Sequence, residues 1–97
     1  MILVLLAIGC GGATAKGDPV AGEAAYGASC VACHGADGDL GVEVGGVAAS
    51  DLQDEVPDSS DEELTDVIQN GEGTMPAQTL DDTETADCIA YMREQWG

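Results

Sequence analysis

Cys30-Val31-Ala32-Cys33-His34 is the stretch of this 97-residue chain whose residue types and spacing specify a chemistry. Two thiols three positions apart can each add across one of the two vinyl groups of an iron porphyrin. An imidazole directly after the second thiol is then carried under the iron as a ligand. His34 is the only histidine in the chain, so its place beside Cys33 is not a by-product of composition. Two other chemistries compete. A bare Cys-x-x-Cys serves thiol–disulfide exchange, but in a βαβ setting, and no strand-forming run flanks this one. A structural zinc ion needs four ligands, and beyond the motif only the isolated Cys10 and Cys88 remain. The motif therefore reads as the attachment site of one covalent haem c, with Cys30 and Cys33 as thioethers and His34 as the proximal iron ligand.

Small helices must carry these residues. Asp18-Pro19 joins an N-cap acceptor to a proline whose missing N–H is harmless in a first turn, so a helix is expected from there to about Ala28 or Cys30. Gly22, Tyr26 and Cys30 recur every four residues and share one of its faces. Ser60 to Glu63 is a capping box, followed by Leu64, Val67 and Ile68 at helical spacing, with Asn70-Gly71 as the stop. A last helix is expected from Asp81 or Asp82 through Gln95. Cys88, Ile89, Met92 and Trp96 form its apolar stripe, with Tyr91 alongside. On that stripe Cys88 reads as a small buried hydrophobe and Met92 as core filling. The segment from Gly35 to Val56 is glycine-rich and acidic and reads as loop, with one short helical turn at about Ser50 to Glu55 capped by Ser50.

With these elements in place, Asp18 to Trp96 resembles a class I cytochrome c. The resemblance implies an all-α fold of three to four helices wrapped around one covalently attached haem, over residues 18–97. In that family a glycine and an aromatic on the first helix pack across the last helix, which would be Gly22, Tyr26 and Tyr91 here. The family also closes the sixth iron position with a methionine before a proline in a loop. Gly71-Glu72-Gly73-Thr74-Met75-Pro76 matches that pattern, since Pro76 biases Met75 towards extended backbone and the glycines permit close approach. Met75 is thereby implied as the distal ligand. One departure stands out: the family often orients its haem histidine with the carbonyl of a nearby proline, and no proline lies between His34 and Pro57. Some other loop carbonyl must accept the Nδ1 proton.

The chain carries 19 acidic residues against Lys16 and Arg93, a net charge of −17. That sign excludes nucleic acid as a partner. It suits either solubility or the steering of a redox protein with a basic docking face. The segments Ala28 to Gly35 and Met75 to Gln78 hold no acidic residue, whereas Asp51 to Asp66 holds eight and Asp81 to Asp87 holds four. An uncharged patch within a negative rim suits brief contact with such a partner. With no Phe, two Tyr and one Trp, the chain has little with which to fill a core, and it is expected to fold poorly without its haem.

Residues 1–9 form an apolar run of signal-peptide length, too short to span a bilayer and lacking a basic start. Ala7-Ile8-Gly9-Cys10 resembles a bacterial lipoprotein signal, although Ala7 stands where leucine is usual. The resemblance implies a lipidated Cys10 anchoring the protein at the periplasmic or outer face of a membrane. Residues 10–17 would then be a flexible tether. A haem closed by His34 and Met75 has no position for a substrate, so the expected role is one-electron carriage between respiratory partners, not catalysis. The alternatives are a haem subunit or module of a multi-subunit oxidoreductase, and a ligand-binding haem protein should Met75 not coordinate.

Overall fold

The computed structural model describes residues 17–97. The expected leader, the expected lipidation at Cys10 and the expected tether up to Lys16 lie outside the described residues. Five helical segments and one small hairpin follow in order: α1 Pro19–Ser29, α2 Val31–His34, β1 Glu43–Val44, β2 Val47–Ala48, α3 Leu52–Asp58, α4 Asp61–Asn70 and α5 Asp82–Trp96. The fold is predominantly helical, as expected.

Helix α1 begins where the local chemistry demands. The Asp18 carboxylate accepts from the Val20 N–H at 2.9 Å, with Pro19 in the first turn. It stops at Cys30, whose φ of −121° breaks the helical path. The chain then restarts as the single turn α2, which carries Cys33 and His34. Helices α4 and α5 each open with a complete capping box, Ser60 with Glu63 and Asp81 with Glu84.

Helices α1 and α5 cross in direct backbone contact. A Cβ built on Gly22 would sit 1.8 Å from the Asp87 carbonyl oxygen and 2.9 Å from Tyr91 Cβ, so only glycine fits. The Asp18 N–H donates to Asp87 Oδ1 at 2.7 Å beside the crossing. Tyr26 packs against Tyr91 and Trp96 at ring centroid distances of 5.5 and 5.6 Å. Its hydroxyl donates to the Gly35 carbonyl at 2.5 Å, tying the aromatic cluster to the end of α2. Burial pushes the Tyr26 phenol well above its ordinary range, and the neighbouring Cys30, Tyr91, Cys88 and Asp37 add to the shift.

Two expectations for the 35–56 segment need correction. It contains a hairpin, with Glu43 paired to Ala48 and Val44 to Val47. Gly45 and Gly46, at φ of 60° and 81°, supply the left-handed turn that such a two-residue connection requires. The short helix also lies later than the Ser50 to Glu55 expected. Asp51 caps it, accepting from the Gln53 N–H at 2.9 Å, and it continues to Asp58. It runs on because Val56 is fully buried, and it ends just past Pro57. Arg93 of α5 closes that end. Its guanidinium donates to the carbonyls of Val56 and Ser59 and forms an ion pair with Asp61 at 2.8 Å.

Candidate haem site

A cavity of about 690 Å³ opens between α2, the hairpin, α3, α4 and the loop after α4. That size lies within the roughly 300–1,000 Å³ typical of cofactor sites. Cys30, Cys33, His34 and Met75 all line it. The fold thus brings together the four residues that the motif and the Met-Pro loop single out.

His34 is 7 % exposed, and its Nδ1 lies 2.9 Å from the Ser50 carbonyl oxygen. A carbonyl can only accept, so Nδ1 carries the proton and Nε2 keeps its lone pair for a metal. This is the acceptor that the missing proline left open. The ring is braced further by its own backbone. The His34 N–H donates to Cys30 O at 3.0 Å, and the Leu40 N–H donates to His34 O at 2.9 Å.

Met75 sits in a tight turn. Glu72 and Met75 exchange backbone hydrogen bonds of 3.1 and 2.9 Å, and the Gln78 N–H donates to Ile68 O at 2.8 Å. Gly71 enters the turn at φ 80°, where an added Cβ would lie 2.7 Å from Met75 O. The tip of the hairpin reaches the same loop, with a Cβ on Gly45 meeting Thr74 Cγ2 at 3.3 Å. Val44 and Val47 join the cavity wall there, and both are exposed, as are Leu40 and Val42.

Three features lay outside the sequence reading. Met92 of α5 also lines the cavity, so two thioethers face the same space. The apolar stripe had marked Met92 as buried, but a stripe does not say which side meets a cofactor. The wall carries Glu55, Asp58, Glu63, Asp66 and Glu72, and no lysine or arginine among the described residues lines it. Finally, Cys30 and Cys88 of α5 are both buried in the core cluster. The Cys88 thiol draws Cys30 below its ordinary range, and Cys30 together with burial pushes Cys88 above it.

The donor set fits an iron porphyrin: two thiols for the vinyl groups, a nitrogen with its lone pair free, a thioether, and apolar walls from Val67, Leu64 and Ile68. A small helical fold built around such a cavity defines a c-type cytochrome. Residues 17–92 match the family model described as "Cytochrome C oxidase, cbb3-type, subunit III", and the chain belongs to the cytochrome c family. It is similar to "Cytochrome c-551" of Bacillus subtilis (strain 168), with 34% identity over 74 residues, which cover 76% of this chain and 61% of that protein. The match thus spans about three-fifths of that relative's length. Membership implies a covalently bound haem c as cofactor.

Proposed function

We propose that this protein is a one-electron carrier whose haem c is attached through Cys30 and Cys33 and ligated by His34 and Met75. The observation that carries the reading is the 2.9 Å contact between His34 Nδ1 and Ser50 O, which leaves Nε2 as a ligand on a cavity that Met75 also lines. Bound there, the iron supplies a single ferric–ferrous couple. The chain's own contribution is to hold two ligands on rigid turns, to keep the centre in an apolar shell and to surround it with carboxylates. Thioether ligation and burial favour the ferrous state, while the carboxylates favour the ferric state.

The acidic rim and the exposed Leu40 and Val42 support docking of a redox partner with a basic face around an apolar contact. Anchoring through a lipidated Cys10 would place this exchange at the periplasmic or outer face of a bacterial membrane. Among the described residues, no helix is long and apolar enough to cross a membrane.

The deciding experiment is the reduced-minus-oxidised absorption spectrum of protein made in a host with haem-attachment machinery. A low-spin six-coordinate haem with the weak near-infrared band of an iron–sulfur bond and no carbon monoxide binding is expected. A colourless protein would refute the haem reading, and ready carbon monoxide binding would refute closure by Met75. The family model's description names an oxidase subunit, which favours a second reading as the haem module of a larger oxidoreductase. Size and haem content of the protein solubilised from its native membrane separate the two.

A further inference from the structure

The hairpin of β1 and β2 links the two sides of the cavity, and it is held at its two ends in different ways. Its base is fastened to the haem-binding turn. On the outgoing arm the Leu40 N–H donates to His34 O at 2.9 Å and the Val42 N–H to Cys33 O at 3.3 Å. On the returning arm the Ala49 N–H donates to Val42 O at 2.9 Å, and the next residue, Ser50, offers its carbonyl to His34 Nδ1. Both arms are therefore hydrogen-bonded on the His34 side.

The tip reaches the opposite side. The chain turns at Gly45-Gly46, and the bare backbone of Gly45 comes down on Thr74, the residue before Met75, so closely that a Cβ there would lie 3.3 Å from Thr74 Cγ2. Val44 and Val47, paired beside the tip, line the cavity together with Thr74 and Met75. Among the described residues the tip makes no hydrogen bond to that loop, so the contact is one of packing alone. The loop is fixed to α4 at both ends, where the Gly71 N–H donates to Val67 O and the Gln78 N–H to Ile68 O, each at 2.8 Å. The bridge between Glu72 and Met75 holds the shape of the turn, but it does not fix where the turn stands over the cavity.

We propose that the hairpin tip is a positioning element for the distal ligand, acting through the methyl group of Thr74. This rests on the reading of Met75 as that ligand. The loop cannot lift from the cavity without parting from Gly45, so release of the thioether and loosening of the hairpin occur together. The segment that orients His34 through Ser50 thereby also restrains the ligand opposite.

The test uses the intact ferric holoprotein and imidazole, which can take the sixth iron position only after Met75 leaves it. Thr74→Ser removes the methyl group and keeps the hydroxyl, whereas Thr74→Val keeps the methyl and removes the hydroxyl. Loss of the near-infrared band on adding imidazole is expected to be about twofold to fourfold faster in Thr74→Ser, the factor implied by one lost methyl contact, and unchanged in Thr74→Val. Amide hydrogen exchange in residues 43–48 is expected to speed up once imidazole is bound, because the tip has lost its seat. Equal displacement rates in the wild type and Thr74→Ser would overturn the proposal, as would a Thr74→Val protein as fast as Thr74→Ser or hairpin exchange that imidazole does not alter. A wild type without the near-infrared band refutes Met75 as ligand and this proposal with it. A wild type with the band whose displacement rate Thr74→Ser leaves unchanged refutes the role of the hairpin alone.

Discussion

His34 and Ser50 are joined ring to main chain, Nδ1 to carbonyl oxygen at 2.9 Å, across sixteen residues of sequence. Because the acceptor belongs to the backbone, Ser50→Ala is expected to leave spectrum and potential unchanged. What holds that carbonyl in place is the start of α3, where the Leu52 N–H donates to Gly38 O at 2.8 Å. Gly38 has φ 78°, and an added Cβ would lie 2.9 Å from Trp96 Cζ2. Gly38→Ala is expected to cost about 1–3 kcal/mol through strain and overpacking, and to shift the midpoint potential. Thermal unfolding with parallel redox titration checks both.

Met75 and Met92 line the same cavity, but only Met75 lies on a loop. Met75→Ala is expected to abolish the near-infrared band and open the iron to carbon monoxide. Met92→Leu is expected to keep both properties and cost less than about 1.5 kcal/mol, as a swap of similar volume in a packed core. The opposite pattern would move the distal ligand to α5.

The α1 and α5 crossing makes a paired prediction from two glycines of one helix. Gly22→Ala is expected to destabilise by about 1–3 kcal/mol, since its methyl group would fall on the Asp87 carbonyl. Gly27→Ala, with nothing within 4 Å, is expected to stabilise by about 0.5–1 kcal/mol through backbone entropy and helix propensity. Chemical denaturation of the two holoproteins distinguishes a contact effect from a general dislike of side chains on α1.

Tyr26 sets an alkaline limit. Its phenol is raised in the folded protein, chiefly by burial, so the folded state resists ionisation that the unfolded chain undergoes near pH 10. The associated stability is complete below about pH 10 and is lost as pH rises above it. Unfolding midpoints measured from neutral to alkaline pH should fall above that point in the wild type. Tyr26→Phe should show a smaller alkaline fall, with a lower starting stability because the Gly35 carbonyl loses its donor.

What could be read from the residues alone was whatever depends on near neighbours. Asp18-Pro19 and the boxes at Ser60 and Asp81 are self-contained hydrogen-bond patterns, and the structure forms all three. Gly22, Tyr26 and Tyr91 were placed together by resemblance, and they do meet. The hairpin was missed although Gly45-Gly46 is a recognised turn signal, because the strands on either side are only two residues long. The extent of α3 depended on Val56 being buried against other elements, which its own neighbours do not encode. The Ser50 carbonyl could not be named in advance, since every residue offers one and only the folded path selects among them. Cys88 was correctly expected in the core, where it is fully buried.

Arg93 is the one lysine or arginine among the described residues, and its guanidinium is spent on two carbonyls and a carboxylate inside a helix corner. The described domain therefore shows no positive pole to the solvent. A basic redox partner of the kind proposed would be drawn in by these carboxylates at long range. Its alignment would then fall to short-range contact, where the carboxylates thin and valine and leucine are exposed.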